Sequence, residues 1–394
     1  MKDISTINSR IYIDNSATTR VSDGAVKAML PYFTEEFGNP SAIYSYGQDA
    51  KIAIDKARHT IAKAIGAMPT EIFFTSGGTE SDNWAIHSVA EQKSKAGKHI
   101  ISTAIEHNAV LKTLKKLEWL GFNVTLLTPD SKGQISPKDL EAAIRPDTIL
   151  VSIMFANNVM GTILDIQTLA QIAHKHGVLF HTDAVQAAGH IPINVRKLDV
   201  DLLSLSGHKF HGPKGVGAIF AKIPRLPLPL ITGGGQERGG RSGTENVPGI
   251  VGMAHALQEC IESQKENSVY LRSLRDRLIE EFLKLEGAYL TGDPIARLPG
   301  HASFVFEGIK HSALLINKLN EVGICASSGS ACSATSQEAS HVLMAMGYSQ
   351  EMALNSFRVS FSRYNTMQEL PFIIEKTKLY IQELRNLKKL QVLY

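Results

Sequence analysis

Cysteine is scarce in this chain of 394 residues, which contains only Cys260, Cys325 and Cys332. Three cysteines do not make a disulfide framework, and none is spaced as Cys-x-x-Cys. Long apolar runs are also missing, since no stretch approaches the ~20 residues needed to cross a bilayer. The first ten residues are polar and lack the apolar core of a secretion signal. These absences predict a cytoplasmic protein with reduced thiols and no membrane partner.

An excess of charge of one sign is absent as well. The 41 Lys and Arg residues nearly balance the 38 Asp and Glu residues, and the formal net charge is only +3. No basic tract stands out, so we expect no direct nucleic-acid partner. Internal repeats and low-complexity tracts are not evident. The length of the chain favours two domains over one simple core.

Short runs of strand-forming residues alternate with helical patterns from about residue 70 onward. The predicted strands are 71–75, 99–103, 123–127, 148–154, 178–182, 200–205 and 216–221. Several are apolar throughout, as expected for strands that are covered on both faces. This alternation predicts an α/β fold with a mostly parallel central sheet.

The pattern changes after Lys222. A proline-rich connection at 223–227 and a glycine-rich stretch at 233–240 precede a long helix that we predict over 247–285. Further predicted elements are strands at 302–306 and 357–361 and helices near 312–322 and 367–387. This second region is expected to be a smaller α+β domain.

Two motifs of the large region indicate a cofactor. Lys209 ends the run Ser206-Gly207-His208-Lys209 directly after a predicted strand, where a lysine can be held rigidly enough to form a Schiff base. Asp183 follows the strand at 178–182 and is an acid that could pair with a pyridinium nitrogen. Together they indicate pyridoxal phosphate (PLP). Taken alone, a Gly-His-Lys run is more often a solvated lysine in a turn.

A phosphate site is indicated at the strand end before residue 76. Ser76-Gly77-Gly78-Thr79 leads into a predicted helix, and small residues there leave backbone N–H groups open to a phosphate. The Thr79 hydroxyl adds a further donor. Thr79 and Ser81 are also good helix-capping residues, so a simple N-cap is the alternative interpretation.

Two polar residues follow other predicted strands. His107 could stack on a cofactor ring and move protons near neutral pH, or it could be an ordinary histidine, like most of the 14 in the chain. Asn158 has the same placement and could donate to a ring oxygen or a substrate carboxylate. An Asn pair before Gly161 is also common turn chemistry.

Cys332 is the candidate nucleophile. It lies among small polar residues in the stretch 325–336, a composition poorly suited to core packing but suited to an accessible thiol. Cys325 and Cys260 stand in apolar patterns, and we predict that both are buried and inert. Arg358, on a predicted strand, could fork onto a carboxylate or make a surface ion pair, and both interpretations stay open.

Eight motifs occur in one order along the chain and together cover nearly all of it. They are Asp14-Asn15-Ser16-Ala17-Thr18-Thr19, Thr75-Ser76-Gly77-Gly78-Thr79-Glu80-Ser81-Asp82-Asn83, Glu106-His107, Asn157-Asn158, Asp183-Ala184-Val185-Gln186, Ser206-Gly207-His208-Lys209, Arg241-Ser242-Gly243-Thr244 and Ser327-Ser328-Gly329-Ser330-Ala331-Cys332. With them the chain resembles the NifS/IscS-type cysteine desulfurases, within the class V aminotransferase group of fold-type I PLP enzymes. Each motif is weak alone, and the set in this order is specific.

The resemblance implies a division into domains and a homodimer. Residues 15–260 would form the large PLP-binding domain, and residues 1–14 with 261–394 the small domain that carries the catalytic cysteine loop. Thr244 would reach the cofactor phosphate of the neighbouring subunit.

The resemblance also assigns roles to the site residues. Lys209 would hold PLP through a Schiff base, Asp183 would face the ring nitrogen, and His107 would stack on the ring as a catalytic residue. The expected neighbours of the ring hydroxyl or substrate are Gln186 and Asn158, and those of the phosphate are Gly78, Thr79, Ser206 and His208. Arg358, with Asn158, would bind the substrate carboxylate, and Cys332 would accept the sulfur. No metal ligand is expected.

The implied reaction converts L-cysteine to L-alanine and leaves a persulfide on Cys332, which passes the sulfur to an acceptor protein. An iron–sulfur scaffold and a tRNA-thiolation enzyme both remain open as that acceptor. The alternatives are a selenocysteine lyase or another class V PLP lyase. A different class of answer is a non-catalytic sulfur carrier or regulatory protein on the same fold.

Overall fold

Twelve strands form the sheets of the part of the chain that the structure describes. The computed structural model covers residues 10–222, 228–309, 311–329 and 339–392, with side chains up to residue 387. The strands are β1 (Ile11–Tyr12), β2 (Ile72–Thr75), β3 (His99–Thr103), β4 (Asn123–Leu127), β5 (Thr148–Ser152), β6 (Leu179–Asp183), β7 (Leu202–Ser206), β8 (Gly217–Ala221), β9 (Ala288–Leu290), β10 (His301–Phe306), β11 (Ile324–Cys325) and β12 (Ser356–Ser360).

A seven-stranded sheet is the largest of the three, with the order β2-β8-β7-β6-β5-β3-β4. Strand β8 runs antiparallel to both of its neighbours, and the remaining neighbouring pairs are parallel. The prediction of a mostly parallel central sheet is therefore confirmed. Strands β2, β3, β5, β6 and β7 all end at the same edge, which is where open α/β sheets bind their ligands.

Helices cover both faces of this sheet and surround the smaller sheets. They are α1 (Asp23–Met29), α2 (Pro31–Thr34), α3 (Ser45–Ile65), α4 (Gly78–Lys93), α5 (Asn108–Trp119), α6 (Pro137–Ala143), α7 (Ile166–Lys175), α8 (Val195–Leu198), α9 (Val247–Glu262), α10 (Gln264–Leu283), α11 (Ser312–Glu321), α12 (His341–Ala345), α13 (Gln350–Leu354) and α14 (Leu370–Val392). Among these helices, none combines the length and the apolarity needed to cross a bilayer.

The apolar side chains separate into cores that follow the two regions of the sequence. Two clusters cover the faces of the seven-stranded sheet, and a third packs around β10 and β12. The third cluster also takes Ile11 and Ile13 from the start of the chain. Its centre is Phe282, whose ring meets those of Phe304 and Phe306 at centroid distances of 5.1 and 5.9 Å. The chain start and the last third of the chain therefore share one core. The exact division into two domains stays a prediction.

The predicted helix over 247–285 is two helices, so that prediction is wrong in one respect. Helix α9 ends at Glu262, and α10 begins at Gln264. Ser263 between them has φ −100° and ψ 6°, and its hydroxyl donates to the carbonyl of Glu259 at 2.7 Å. The break has a packing cause: α9 buries Leu257 in the core of the large sheet, whereas α10 buries Leu274 in the third cluster.

Candidate active site

Ten of the predicted site residues in the described part of the chain surround one cavity of about 760 Å³. It opens at the edge of the large sheet where β3, β5, β6 and β7 end. Those that line it are Gly78, Thr79, His107, Asn158, Asp183, Gln186, Ser206, His208, Lys209 and Arg358. Their assigned roles stay predictions. Cys332 lies outside the described residues.

Lys209 sits on a single 3₁₀ turn, Gly207–Lys209, directly after β7. Its Nζ donates to the backbone carbonyls of Ser16 and Ala17, the latter at 2.8 Å. These two carbonyls come from the motif near the chain start, 192 residues away in the case of Ala17. The interpretation of a solvated lysine in a turn is therefore wrong, since the amine is held in the cavity by two acceptors.

Asp183 ends β6, where its carboxylate accepts the backbone N–H of Val185 at 2.8 Å. Burial raises the pKa of Asp183, and the neighbouring charges of His107 and Lys209 act in the opposite direction. Gln186 follows on the same loop and donates from Nε2 to the carbonyl of Ser16 at 2.8 Å. The strand end thus presents an acid to the cavity and fixes the chain-start motif beside it.

A second buried acid, Asp82, stands near Asp183 on helix α4. Burial and the neighbouring Asp183 raise the pKa of Asp82 well above its usual value. Its Oδ1 has no hydrogen-bond partner and lies 3.7 Å from Nε2 of His181. Burial in turn lowers the pKa of His181 to about 3, so this imidazole is neutral. Asp82 therefore gains no cationic partner, and its burial favours the protonated form.

Glu106 and His107 occupy the turn between β3 and α5. The Glu106 carboxylate accepts from Thr103 Oγ1 at 2.6 Å and from the N–H of Met154 at 3.0 Å, and its other oxygen has no partner. Burial raises the pKa of Glu106 to about 8. His107 caps α5, with Nδ1 accepting from the N–H of Ala109 at 3.1 Å. This bond assigns the proton of the neutral ring to Nε2.

The N-terminus of α4 forms one end of the site, which we call the phosphate end because the sequence predicts a phosphate there. A second cavity of about 350 Å³ joins Gly78 and Thr79 to Ser206 and His208. At Gly78 an added Cβ would lie 2.7 Å from Val185, so a larger residue would crowd this corner. Gly77 is the N-cap and no side chain caps the helix, so the interpretation of Thr79 or Ser81 as a cap is wrong. The open helix end suits an anion.

His208 borders the same cavity as a neutral donor or acceptor. Burial and the adjacent Lys209 charge lower its pKa to about 4. Its Nδ1 pairs with the hydroxyl of Thr18 at 3.1 Å. The phosphate end therefore combines backbone N–H groups, hydroxyls and a neutral imidazole.

Arg358, on β12, closes the cavity from the opposite side. Its side chain is 1% exposed, so the interpretation of a surface ion pair is wrong. The guanidinium donates to the carbonyl of Asn158 at 2.8 Å and to Asp14 Oδ1 at 2.6 Å. Asn157, beside Asn158, accepts the N–H groups of Val159 and Met160 with its side-chain oxygen, and so forms the turn. Asn158 borders the cavity.

Thr244 does not line the same cavity. It is exposed and borders a different one, of about 230 Å³, together with Ser76 and Gly215, which also border the phosphate end. Of the other two cysteines, Cys260 is buried, as predicted, and burial raises its pKa to about 11. Cys325 is half-buried, so the prediction that it is buried is wrong. The reason is that its strand β11 pairs only with β1 in a two-stranded sheet.

Sequence reasoning missed Asp82, Glu106 and Asp14. Asp82 stands four residues after Gly78 on the same helix, and that spacing places both on one face toward the cavity. Glu106 directly precedes His107, and Asp14 opens the first motif. The sequence positions of these acids therefore pointed to the site, but the groups that each acid contacts could not be predicted from the sequence.

The residues of the cavity fit PLP. An amine, a buried acid and an open helix N-terminus meet the aldehyde, the ring nitrogen and the phosphate of that cofactor. The crowding at Gly78 and the unpartnered oxygens of Asp82 and Glu106 show a site built for a polar molecule.

The comparison with known protein families agrees with this chemistry. Residues 11–372 match the model of the family Aminotransferase class-V. The chain therefore belongs to the class-V aminotransferase family, whose members are PLP enzymes.

Similarity to individual proteins assigns the chain to one group within this family. The chain is 51% identical to "Cysteine desulfurase IscS" of Methanosarcina thermophila, over 99% of this chain and 96% of the relative. It matches the solved structure of a NifS-like protein with a TM-score of 0.89 and 41% identity, over 95% of this chain and 100% of that one. A structure of SspA in complex with cysteine matches with a TM-score of 0.79 and 37% identity, over 90% and 100%. Within its family the chain is one of the cysteine desulfurases.

Proposed function

We propose that this chain converts L-cysteine to L-alanine at the 760 Å³ cavity and transfers the sulfur to Cys332. The observation that carries the proposal is the convergence of Lys209, Asp183 and Arg358 on one cavity. An amine, an acid for the ring nitrogen and a guanidinium for the carboxylate match the three ends of a PLP-bound amino acid. The SspA structure in complex with cysteine supports the substrate.

PLP, when bound, supplies an electron sink for negative charge at the substrate α-carbon. The chain contributes the remaining chemistry. Lys209 would hold the cofactor, and its amine, positioned beside the Ser16 and Ala17 carbonyls, would move a proton at the substrate α-carbon. Asp183, which ends β6 and borders the cavity, would hold the proton of the ring nitrogen. His107 presents a fixed tautomer to the cavity.

Sulfur transfer falls to Cys332. Its thiolate attacks the substrate sulfur and forms a sulfur–sulfur bond, while the carbon–sulfur bond breaks and leaves its electron pair on the carbon. That carbon then takes up a proton and becomes the methyl group of alanine. The persulfide passes to an acceptor protein, and an iron–sulfur scaffold and a tRNA-thiolation enzyme are the two candidates.

The neighbouring subunit completes the phosphate end in this proposal. Thr244 is exposed and lies in a cavity of its own, so it is accessible to a second copy of the chain. We place it on the phosphate of the partner's cofactor, in a homodimer.

Substitution of Cys332, with Cys325 as a control, tests the proposed sulfur transfer directly. We expect Cys332→Ser to lower alanine formation from L-cysteine by roughly 100-fold or more, because the nucleophile is lost. The visible absorbance of bound PLP should be unchanged, since Cys332 does not hold the cofactor. Cys325→Ser is the matched control and should retain wild-type turnover.

Other outcomes separate the alternatives. Undiminished alanine formation in Cys332→Ser would exclude the persulfide mechanism and favour another class V lyase. Turnover of selenocysteine but not of cysteine would identify a selenocysteine lyase. The non-catalytic carrier is the better answer if the folded wild-type protein lacks the visible absorbance of PLP, or if that absorbance persists in Lys209→Ala.

A further inference from the structure

The guanidinium of Arg358 already donates to three acceptors within the protein, which binding of a substrate carboxylate alone would not require. Its Nη1 donates twice, to the carbonyl of Asn158 at 2.8 Å and to that of Gly329 at 3.0 Å. Its Nη2 donates to Oδ1 of Asp14 at 2.6 Å. The side chain is 1% exposed and that of Asp14 is 15% exposed, so water screens this pair little.

Counting N–H groups shows what is left for a ligand. A guanidinium carries five, and the three bonds above use both on Nη1 and one on Nη2. The remaining two are on Nε and Nη2, and Nε is buried with no partner in the structure. A side-on pair of this kind matches the two oxygens of a carboxylate. Arg358 is among the residues that line the cavity, so a substrate carboxylate that reaches this edge need not displace Asp14.

Asp14 is itself held in place by its backbone. It forms a β-bridge with Ser360, two residues after Arg358 on the same strand. Its carbonyl accepts from the Tyr12 hydroxyl at 3.0 Å and from the N–H of Ala17 at 3.0 Å. The carboxylate is thus a fixed acceptor, and it fixes the rotation of the guanidinium in turn.

We propose that Asp14 is a positioning residue for the substrate carboxylate: by holding Nη2 of Arg358, it fixes the guanidinium in the orientation that leaves the Nε–Nη2 edge for the substrate. This inference rests on the proposed function, because it takes the ligand of Arg358 to be the carboxylate of an amino acid. Asp14 acts through hydrogen-bond geometry rather than through its charge.

Substitutions at Asp14 separate geometry from charge. Asp14→Ala removes the acceptor, and we expect the Kd of L-alanine for the PLP-loaded protein and the KM of L-cysteine to rise about 10-fold, the effect of one charge-assisted hydrogen bond. Asp14→Asn keeps an acceptor oxygen without the charge and should restore both to within about 3-fold of wild type. Asp14→Glu keeps the charge but moves the oxygen, and should bind L-alanine more weakly than Asp14→Asn.

The measurements are calorimetric titration with L-alanine, steady-state turnover of L-cysteine, the Kd of PLP and the melting temperature. Asp147→Ala is the matched control, because Asp147 also takes two N–H groups of an arginine, Arg145, but on the surface. Asp147→Ala should change none of these four measured quantities. In the Asp14 variants the Kd of PLP should stay within about 2-fold of wild type, since Asp14 does not line the cavity.

Three results would overturn the proposal. A lower melting temperature with unchanged L-alanine binding in Asp14→Ala would make the role purely structural. Tighter L-alanine binding in Asp14→Asn would mean that Asp14 competes with the substrate. Equal L-alanine binding by Asp14→Glu and wild type would show that charge is sufficient. Failure of wild type to turn over L-cysteine, with L-alanine binding intact, would count against the proposed function alone.

Discussion

Three buried acids, Asp82, Glu106 and Asp183, border one cavity, and the buried imidazole of His181 next to Asp82 is neutral. Ionising more than one of them is unfavourable, because each carboxylate raises the charge near the others and because Asp82 and Glu106 each have an oxygen without a hydrogen-bond partner. Burial therefore favours protonated carboxyl groups in this cavity, and ionising them costs stability.

Glu106 makes that cost measurable. Its pKa is about 8 in the folded protein and 4.5 in the absence of perturbation. The folded state keeps the proton that the unfolded chain releases, so the stability contributed by this group falls as the pH rises between these two values. We expect the stability of cofactor-free Glu106→Gln not to fall with pH in this way. Its free energy of unfolding should therefore increase relative to that of wild type by about 4 kcal/mol between pH 5 and pH 8.

Urea denaturation at pH 5, 6.5 and 8 checks the prediction. Glu80→Gln is the control. Although burial acts to raise the pKa of Glu80, hydrogen bonds from Arg241 and Ser76 hold it below its usual value of 4.5. The stability that ionised Glu80 contributes is fully present above 4.5 and is lost only as the pH falls below it, so the difference between Glu80→Gln and wild type should stay nearly constant between pH 5 and pH 8. A pH-independent difference between Glu106→Gln and wild type would contradict the prediction.

Ten of the residues that line the cavity were named from the sequence, through residue types and the order of the motifs. Strand ends of a parallel sheet meet at one edge, so Lys209, Asp183 and His107 could be placed together from the sequence. The partners of these residues could not. Lys209 is held by backbone carbonyls of Ser16 and Ala17, and a carbonyl carries no signature in the sequence.

At the scale of elements, a buried ion pair joins helix α3, strand β2 and the segment that leads to Thr244. Arg58 donates two hydrogen bonds to the Glu237 carboxylate, at 2.7 and 2.8 Å, and the two side chains are 8% and 3% exposed. Glu237 also accepts the N–H of Phe74 on β2 at 2.8 Å. The pair fixes the position of the 237–246 segment against the sheet.

Arg58→Met should destabilise the protein by about 3–5 kcal/mol, because it leaves the Glu237 carboxylate buried without its cation. Arg58→Met combined with Glu237→Gln should recover part of this loss, since the remaining side chain is neutral. Arg145→Ala breaks a pair of 44% and 42% exposed side chains and should cost less than about 1 kcal/mol. Chemical denaturation measures all three. Equal effects of Arg58→Met and Arg145→Ala would contradict the buried-pair interpretation.

Element boundaries were predictable where the sequence marks them. The strands His99–Thr103 and Asn123–Leu127 have the predicted bounds. Helix α5 ends before Gly121, which has φ +83° and marks the stop. The break between α9 and α10 has no glycine or proline, because it follows from packing on different cores. A cause of that kind is visible only in three dimensions.

At the scale of the whole molecule, the proposed homodimer predicts that residues complement each other between subunits. We expect a mass of about twice 43.0 kDa in sedimentation equilibrium. A heterodimer of one Lys209→Ala chain and one Thr244→Ala chain should contain one site with wild-type PLP affinity. The reason is that the intact Lys209 of one chain meets the intact Thr244 of the other.

Co-expression with two different tags isolates this heterodimer, and a PLP titration monitored by absorbance measures its affinity. Homodimers of Thr244→Ala are the control, and each of their sites should be weakened. If Thr244 served the site of its own chain, the heterodimer would contain no wild-type site at all. A monomeric mass would contradict the dimer directly.

The bond between Arg358 and Asp14 also has a consequence for biosynthesis. The two residues are 344 positions apart, whereas the residues proposed to hold the cofactor within one chain end at Lys209. A ribosome therefore releases the side chains proposed to hold the cofactor within one chain well before it releases the arginine proposed to bind the amino acid. A nascent chain can complete its own share of the proposed PLP pocket early, but the proposed substrate-carboxylate site forms only after Arg358 has emerged.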